Sequence, residues 1–309
     1  ILEGMLAVRR HLVWLALLAS CGGGEVDSPS STPEVTAEAG TSVRMDPTLA
    51  GGFFSSPFPS EARRRADGAV DVTGFPNGTD ADLVRKVLAV LDGETGFGTT
   101  SGIFFSLSGP LSDGALPDRS TSTAKDASVY LVSVDPSAPD RGKRYPISVV
   151  YREDAGPFGG ANLLSLLPEQ GIPLRPRTRY AAVVTRALRD RAGAALVPAA
   201  TLRTLIEGGT PVGMPVAAAA VHREAIAELK TQGVDASALA GLAVFVTGDP
   251  TRDLGRVRDD LLARKTPVPE APFAPKEVFP DYCVYETTIL AFVPTAAHRR
   301  VPWWSPTVS

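Results

Sequence analysis

Three histidines and two cysteines in 309 residues leave this chain short of the groups that metal centres and nucleophilic catalysis draw on. There is no pair of histidines at helical spacing and no pair of neighbouring cysteines, so the usual zinc patterns are excluded. No glycine-rich phosphate loop follows a strand-like run. A Gly-x-Ser-x-Gly elbow, in which glycines let a serine occupy a strained strand-to-helix turn, is also missing. Gly98-Thr-Thr-Ser-Gly102 and Gly109-Pro-Leu-Ser-Asp-Gly114 have the wrong spacing for one. Neither sign of charge dominates: the formal net charge of -3 gives no basic footprint, which excludes nucleic acid as an expected partner.

Turn-forming residues are plentiful instead. With 29 glycines, 27 prolines and a 44% hydrophobic content, the composition suits a globular chain of short strands and many turns, large enough for one large core or two modest ones.

The amino terminus carries the sharpest functional signal. Met5, then Arg9 and Arg10, then the apolar run Leu12–Leu18 read as an export signal, because seven residues cannot span a bilayer that needs about 20. Leu18-Ala19-Ser20-Cys21 resembles the lipobox of bacterial lipoproteins. That resemblance implies cleavage before Cys21, lipidation of Cys21 and attachment to a membrane through the lipid. Gly22, where such lipoproteins carry Asp for inner-membrane retention, implies sorting to the outer membrane. Cys283 is then left without an intramolecular partner. Its strand-like setting, Tyr282-Cys-Val-Tyr285, predicts a small buried hydrophobe.

The segment Leu174-Arg-Pro-Arg-Thr-Arg-Tyr180 stands at the centre of the remaining pattern. Pro173 and Pro176 exclude helix, and Tyr180, Val183, Val184 and Thr185 predict the strand that follows. Similar runs at 103–108, 129–134, 145–151, 162–167 and 242–247 lie between turn residues, and a final strand is expected at 282–292. Helices are predicted from Thr79 to Gly93, at 198–208, at 210–233 and from Asp249 to about residue 263. The first is expected to bury Leu83, Val84, Val87, Leu88 and Leu91, and the last to turn Leu254, Val257, Leu261 and Leu262 inward. Residues 266–280 are expected to form a polyproline-type linker. The fold class is therefore mainly β with helical additions: an Ig-like antiparallel β-sandwich with inserted and flanking α-helices.

Two family resemblances support that expectation. Phe105-Ser-Leu-Ser-Gly-Pro-Leu111, Leu174–Tyr180 with Val183-Val-Thr185, Asp190-Arg-Ala-Gly193 and Val244-Phe-Val-Thr247 resemble the Ig-like domain of bacterial S-layer and envelope proteins. Pro57-Phe-Pro-Ser60, Gly74-Phe-Pro-Asn77, Leu91-Asp-Gly93, Thr99-Thr-Ser101, Gly248-Asp-Pro-Thr251 and Tyr282–Tyr285 are similar to the amino-terminal region of bacterial virulence-factor-type extracellular lipases. In that lipase family a catalytic α/β-hydrolase domain follows.

These readings divide the chain into a signal peptide (1–20), a flexible tether (21–50), an extended segment and helix packed on the core (51–96), the sandwich with a helical insertion (97–265), and a Pro-rich linker with a terminal strand, ending before a hydrolase domain (266–309). No catalytic residue, cofactor or metal is expected. His222, between Val221 and Arg223-Glu224, is expected on a solvated helix face. Asp67 with Asp71, and Asp249 with Asp253, are expected in turns and caps, not as calcium ligands. The expected function is the non-catalytic scaffold of a lipid-anchored, lipase-like exported protein. Its expected partners are a hydrolase domain or an envelope component, and the alternative is a stand-alone envelope adhesion or binding module.

Overall fold

The computed structural model describes residues 40–112, 114, 116–264 and 268–288. The expected signal peptide, the expected lipidation site Cys21, the first part of the expected tether and the last part of the strand expected at 282–292 lie outside the described residues.

The chain is mainly β, with antiparallel sheets and four helices. In order come α1 (Asp82–Leu91), β1 (Ile103–Ser106), β2 (Val129–Ser133), β3 (Arg144–Tyr145), β4 (Ile147–Asp154), β5 (Ala161–Pro168), β6 (Arg179–Thr185), α2 (Ala200–Ile206), α3 (Val216–Thr231), β7 (Leu239–Val246), α4 (Arg252–Ala263), β8 (Ala274–Val278) and β9 (Cys283–Glu286). One sheet has the order β1-β5-β4, the second β3-β2-β6-β7, and β8 and β9 form a separate hairpin. The chain crosses from the second sheet to the first at Pro146, where a residue without an N–H breaks the ladder at no loss.

Both sheets feed a single core. Ile103, Phe105, Ile147, Leu164 and Leu166 of the first sheet join Leu131, Tyr180, Leu242 and Phe245 of the second, all almost fully buried. Every residue of β2 is buried, as are all but the last of β7, so these strands do not alternate between core and solvent. The reason is the excursion between β6 and β7. Helices α2 and α3 fold back on β7, with Leu202, Leu205, Ala219, Ile226 and Leu229 entering the same core. Strands covered on both faces read as continuous apolar runs.

The stretch before β1 seals the sheet edges. Phe58 pairs with Phe104 on the edge of β1, its N–H donating to the Phe104 carbonyl at 3.1 Å and its carbonyl accepting from the Phe104 N–H at 2.7 Å. Phe97 pairs with Thr247 at the end of β7. There Gly96 lies so close to Gly248 that an added Cβ would stand 2.5 Å from its Cα. Residues 42–45, assigned above to a tether running to residue 50, also belong to the core: Val43 is fully buried and bridges Leu107.

Two amphipathic helices depart from expectation. Neither α1 nor α4 buries a single residue, although Leu88 packs partly on the core. The expected linker is also different: β8 forms inside it and pairs with β9 across an irregularity between Pro275 and Glu277. A proline is tolerated there because such a hairpin is all edge.

Phe245 packs its ring 6.1 Å from Phe97 and 6.2 Å from Tyr180, joining the edge-sealing segment to the sheet centre. Phe245→Ala is expected to cost about 3–5 kcal/mol, as for other large-to-small core changes. Urea unfolding monitored by circular dichroism measures it, and an unchanged midpoint would contradict the packing described.

Candidate functional site

A polar constellation is built at the corner leading into β6. Pro176 and Arg177 form the turn, with Arg177 in the left-handed region (φ 52) that normally favours glycine. Beyond the turn, β6 places Tyr180 in the core, where its hydroxyl accepts from the Arg175 N–H at 2.9 Å, five residues upstream. The same hydroxyl donates to Asp140 Oδ2 at 3.1 Å, and Tyr145 from β3 donates to that oxygen at 2.5 Å. Arg175 Nε stands 3.5 Å from Asp140 Oδ1. Thr247 completes the corner by accepting from the Thr178 N–H at 3.0 Å and donating to the Arg175 carbonyl at 2.5 Å.

Burial, reinforced by hydrogen bonding, holds both phenols above the ordinary tyrosine range, so they stay protonated donors at neutral pH. Apart from the exposed Arg175 side chain, its members are buried. It ties β3 and β6 to the loop at Asp140. The spacing Leu-x-Pro-x-Thr-x-Tyr at 174–180 was its trace in the sequence; Asp140 left none.

His222 contradicts expectation. It lies on the inner side of α3 at 1% exposure, with Nδ1 2.8 Å from the Ala218 carbonyl oxygen one turn earlier. Burial lowers its pKa, partly opposed by the charge of Glu61. Glu61 is itself committed: its carboxylate takes both Arg64 Nε and Nη2, at 2.8 and 2.9 Å, and the Val246 N–H of β7 at 2.9 Å. On the same helix the exposed Glu224 holds Arg179 at 2.8 Å and the nearly buried Glu228 holds Arg141 at 2.7 Å. His222 is a packed side chain that burial keeps in its neutral form.

Arg63 is the other buried ionisable group of note. At 2% exposure its guanidinium lies 4.0 Å from the Phe53 ring centre and donates Nη2 to the Phe53 carbonyl, while Nε and Nη1 have no partner. Burial lowers its pKa to about 10. The aromatic face offsets part of the roughly 1–3 kcal/mol that an unmet buried donor costs.

The paired aspartates fill the local roles expected of them. Asp67 accepts from the Ala69 N–H, Asp71 from the Thr73 N–H, and Asp249 from the N–H and hydroxyl of Thr251. Among the described residues, no group of three or more His, Cys, Asp or Glu is placed to hold a metal ion. Cys283 is exposed, contrary to the buried position expected, because no described residue covers its hairpin. No helix among the described residues is long and apolar enough to cross a membrane. An open groove of ≈ 610 Å³ lies between residues 42–55 and α2, lined by Arg44, Asp46, Thr48, Thr201 and Thr204 among others. Asp46 there accepts from Thr48 and the Ala50 N–H, so its charge is already engaged.

Compared with known proteins, the chain matches no family model and no curated protein.

The corner and His222 each yield a measurable expectation. Tyr180→Phe strands the Arg175 N–H and removes one donor from Asp140; a loss of about 1–3 kcal/mol is expected from chemical denaturation. His222 has a folded-state pKa below its unfolded value of about 6.5, so above that pH both states are neutral and stability is full. As pH falls below about 6.5 the unfolded state takes the proton first and stability declines. His222→Gln is expected to flatten the dependence between about pH 6.5 and 5. An identical pH profile for the two proteins would show that His222 is not buried neutral.

Proposed function

We propose that this chain is an exported, lipid-anchored scaffold module with an Ig-like sandwich, serving as the non-catalytic region of a lipase-like envelope protein. The observation that carries the reading is strand order. If β1, β5 and β4 are read as strands B, E and D, and β3, β2, β6 and β7 as C′, C, F and G, both sheets take the arrangement of Ig-type domains. Val43, bridged to Leu107 beyond β1, stands where strand A would lie. The hydroxyl of Tyr180, reaching back to Arg175 at the entry to β6, corresponds to the tyrosine corner of such sandwiches. On this reading α2 and α3 are an insertion between strands F and G.

The address rests on Leu18-Ala-Ser-Cys21 and the lipase connection on the ordered short motifs between Pro57 and Tyr285. A second reading, a stand-alone envelope-binding module, is favoured by the groove beside α2, since loops and clefts at the margin of a rigid scaffold commonly carry recognition.

Cys21→Ser is expected to move the protein from the membrane fraction to the soluble one, or to leave it unprocessed, because the lipid on Cys21 supplies the acyl chains that stable anchoring needs. Unchanged fractionation would defeat the anchor. In parallel, purified protein is expected to hydrolyse neither short- nor long-chain acyl esters and to resist a fluorophosphonate probe, since acyl transfer needs an activated nucleophile beside an oxyanion site. Inhibitor-sensitive turnover with labelling of one serine would overturn the non-catalytic assignment.

A further inference from the structure

We propose that the apolar faces of α1 and α4 form a homodimer interface, in which α4 packs in parallel against α4 of a second copy about a two-fold axis. From Gly248 to Thr288 no described residue is buried, yet α4 and the β8–β9 hairpin are regular structure. A 12-residue helix and a lone two-stranded hairpin are both marginal in water without a surface to pack on. The exposed side chains are also of the wrong kind for solvent: Leu83 is 72% exposed, Leu254 73% and Leu262 76%, with Val87, Val90, Leu91, Val257 and Leu261 also open. Both helices spring from one place. Arg252 at the start of α4 bonds Thr95 Oγ1 at 3.1 Å and reaches Glu94 Oε2 at 3.4 Å, just beyond the end of α1.

Charge selects the occupant. Eight exposed apolar side chains on two neighbouring helices are more than singly scattered surface residues and mark an interaction surface. A membrane surface is a poor match, since interfacial helices carry a basic polar face and α4 sets Asp253, Asp259 and Asp260 against Arg252, Arg256 and Arg258. A second copy fits that pattern. Leu254, Val257 and Leu261 follow the three-then-four spacing of a coiled-coil seam, Asp253 flanks it on one side and Arg258 on the other. In a parallel pair Asp253 of one copy meets Arg258 of the other, five residues on, in both symmetry-related positions. Asp253 now pairs with the part-buried Arg252 at 3.2 Å and with exposed Arg256 at 3.4 Å, and Arg258 with exposed Asp259 at 2.7 Å; such surface pairs give little stability, so exchanging them costs little.

Sedimentation velocity on the purified chain carrying Cys21→Ser is the test. A dimer is expected, and Leu254→Asp with Leu261→Asp is expected to make it monomeric while the protomer core stays folded, because neither residue is buried in the protomer. Asp253→Arg alone is expected to weaken the dimer, and adding Arg258→Asp to restore it. That charge-swap pair keeps the proposal testable even if the leucine variant misfolds. A monomer at the highest soluble concentration overturns it, whether the faces are then covered by the chain's own remaining residues or bind phosphatidylglycerol vesicles. So does a dimer indifferent to these substitutions, or a charge swap that fails to rescue.

Discussion

The hydroxyl of Tyr180 lies in the interior of the protein, and a hydroxyl there must be hydrogen-bonded or cost several kcal/mol. Its two partners, the Arg175 N–H and Asp140, lie on different loops, so satisfying it fixes where β6 begins and which way the corner turns. Register follows from that start. A slip of one residue would send every side chain of β6 to the opposite face, and β6 is paired on both sides, with β2 through Tyr130↔Val183 and with β7 through Tyr180↔Phe245. The placement of the four-stranded sheet therefore rests on one buried phenol and the carboxylate that receives it.

A second constraint follows from the sheets being open. Edge strands expose unpaired N–H and carbonyl groups that invite other strands, and proteins cover them. Here the covering is done from upstream. The carboxylate of Glu61 caps the Val246 N–H, Phe97 pairs beside it, and Phe58 closes the side of β1. Arg63 and the rings of Phe53, Phe54, Phe58 and Phe75 hold this segment together as a satellite cluster under the first sheet. Its interior order explains why an aromatic, proline-rich stretch without periodicity takes a defined course.

The strands were legible because β-branched and aromatic runs between turn residues have few alternatives, and Val129–Ser133 or Tyr180–Val184 form where such runs predict. Burial was legible only where an element has one possible cover. The apolar stripes of α1 and α4 were visible in the spacing of Leu83, Val87 and Val90 and of Leu254, Val257 and Leu261, but spacing says that a face is apolar and not what lies on it. His222 was misplaced for a related reason. Its sequence neighbours Arg223 and Glu224 suggest solvent, whereas its spacing to Ala218, Ala225, Ile226 and Leu229 puts it on the inward stripe. Asp140 could not be found from local pattern at all, since its role is set by residues 5 and 40 positions away.

These constraints separate two kinds of surface on the same protein. Where α3 covers the sheet, ion pairs from Glu224 and Glu228 flank a packed interior, each carboxylate held at hydrogen-bond distance by an arginine from another element. Along α4 the opposite holds. Arg252 also reaches Glu94, while Asp253, Arg256, Arg258 and Asp259 pair with neighbours on their own helix, and the leucines of that helix are not buried by any described residue. Surface ion pairs of that kind contribute little to holding a helix in place, so the regularity of α4 is not explained by its local contacts. A helix whose apolar stripe is complete and whose charges are locally neutralised is suited to association, because docking removes apolar area from water without stranding a charge.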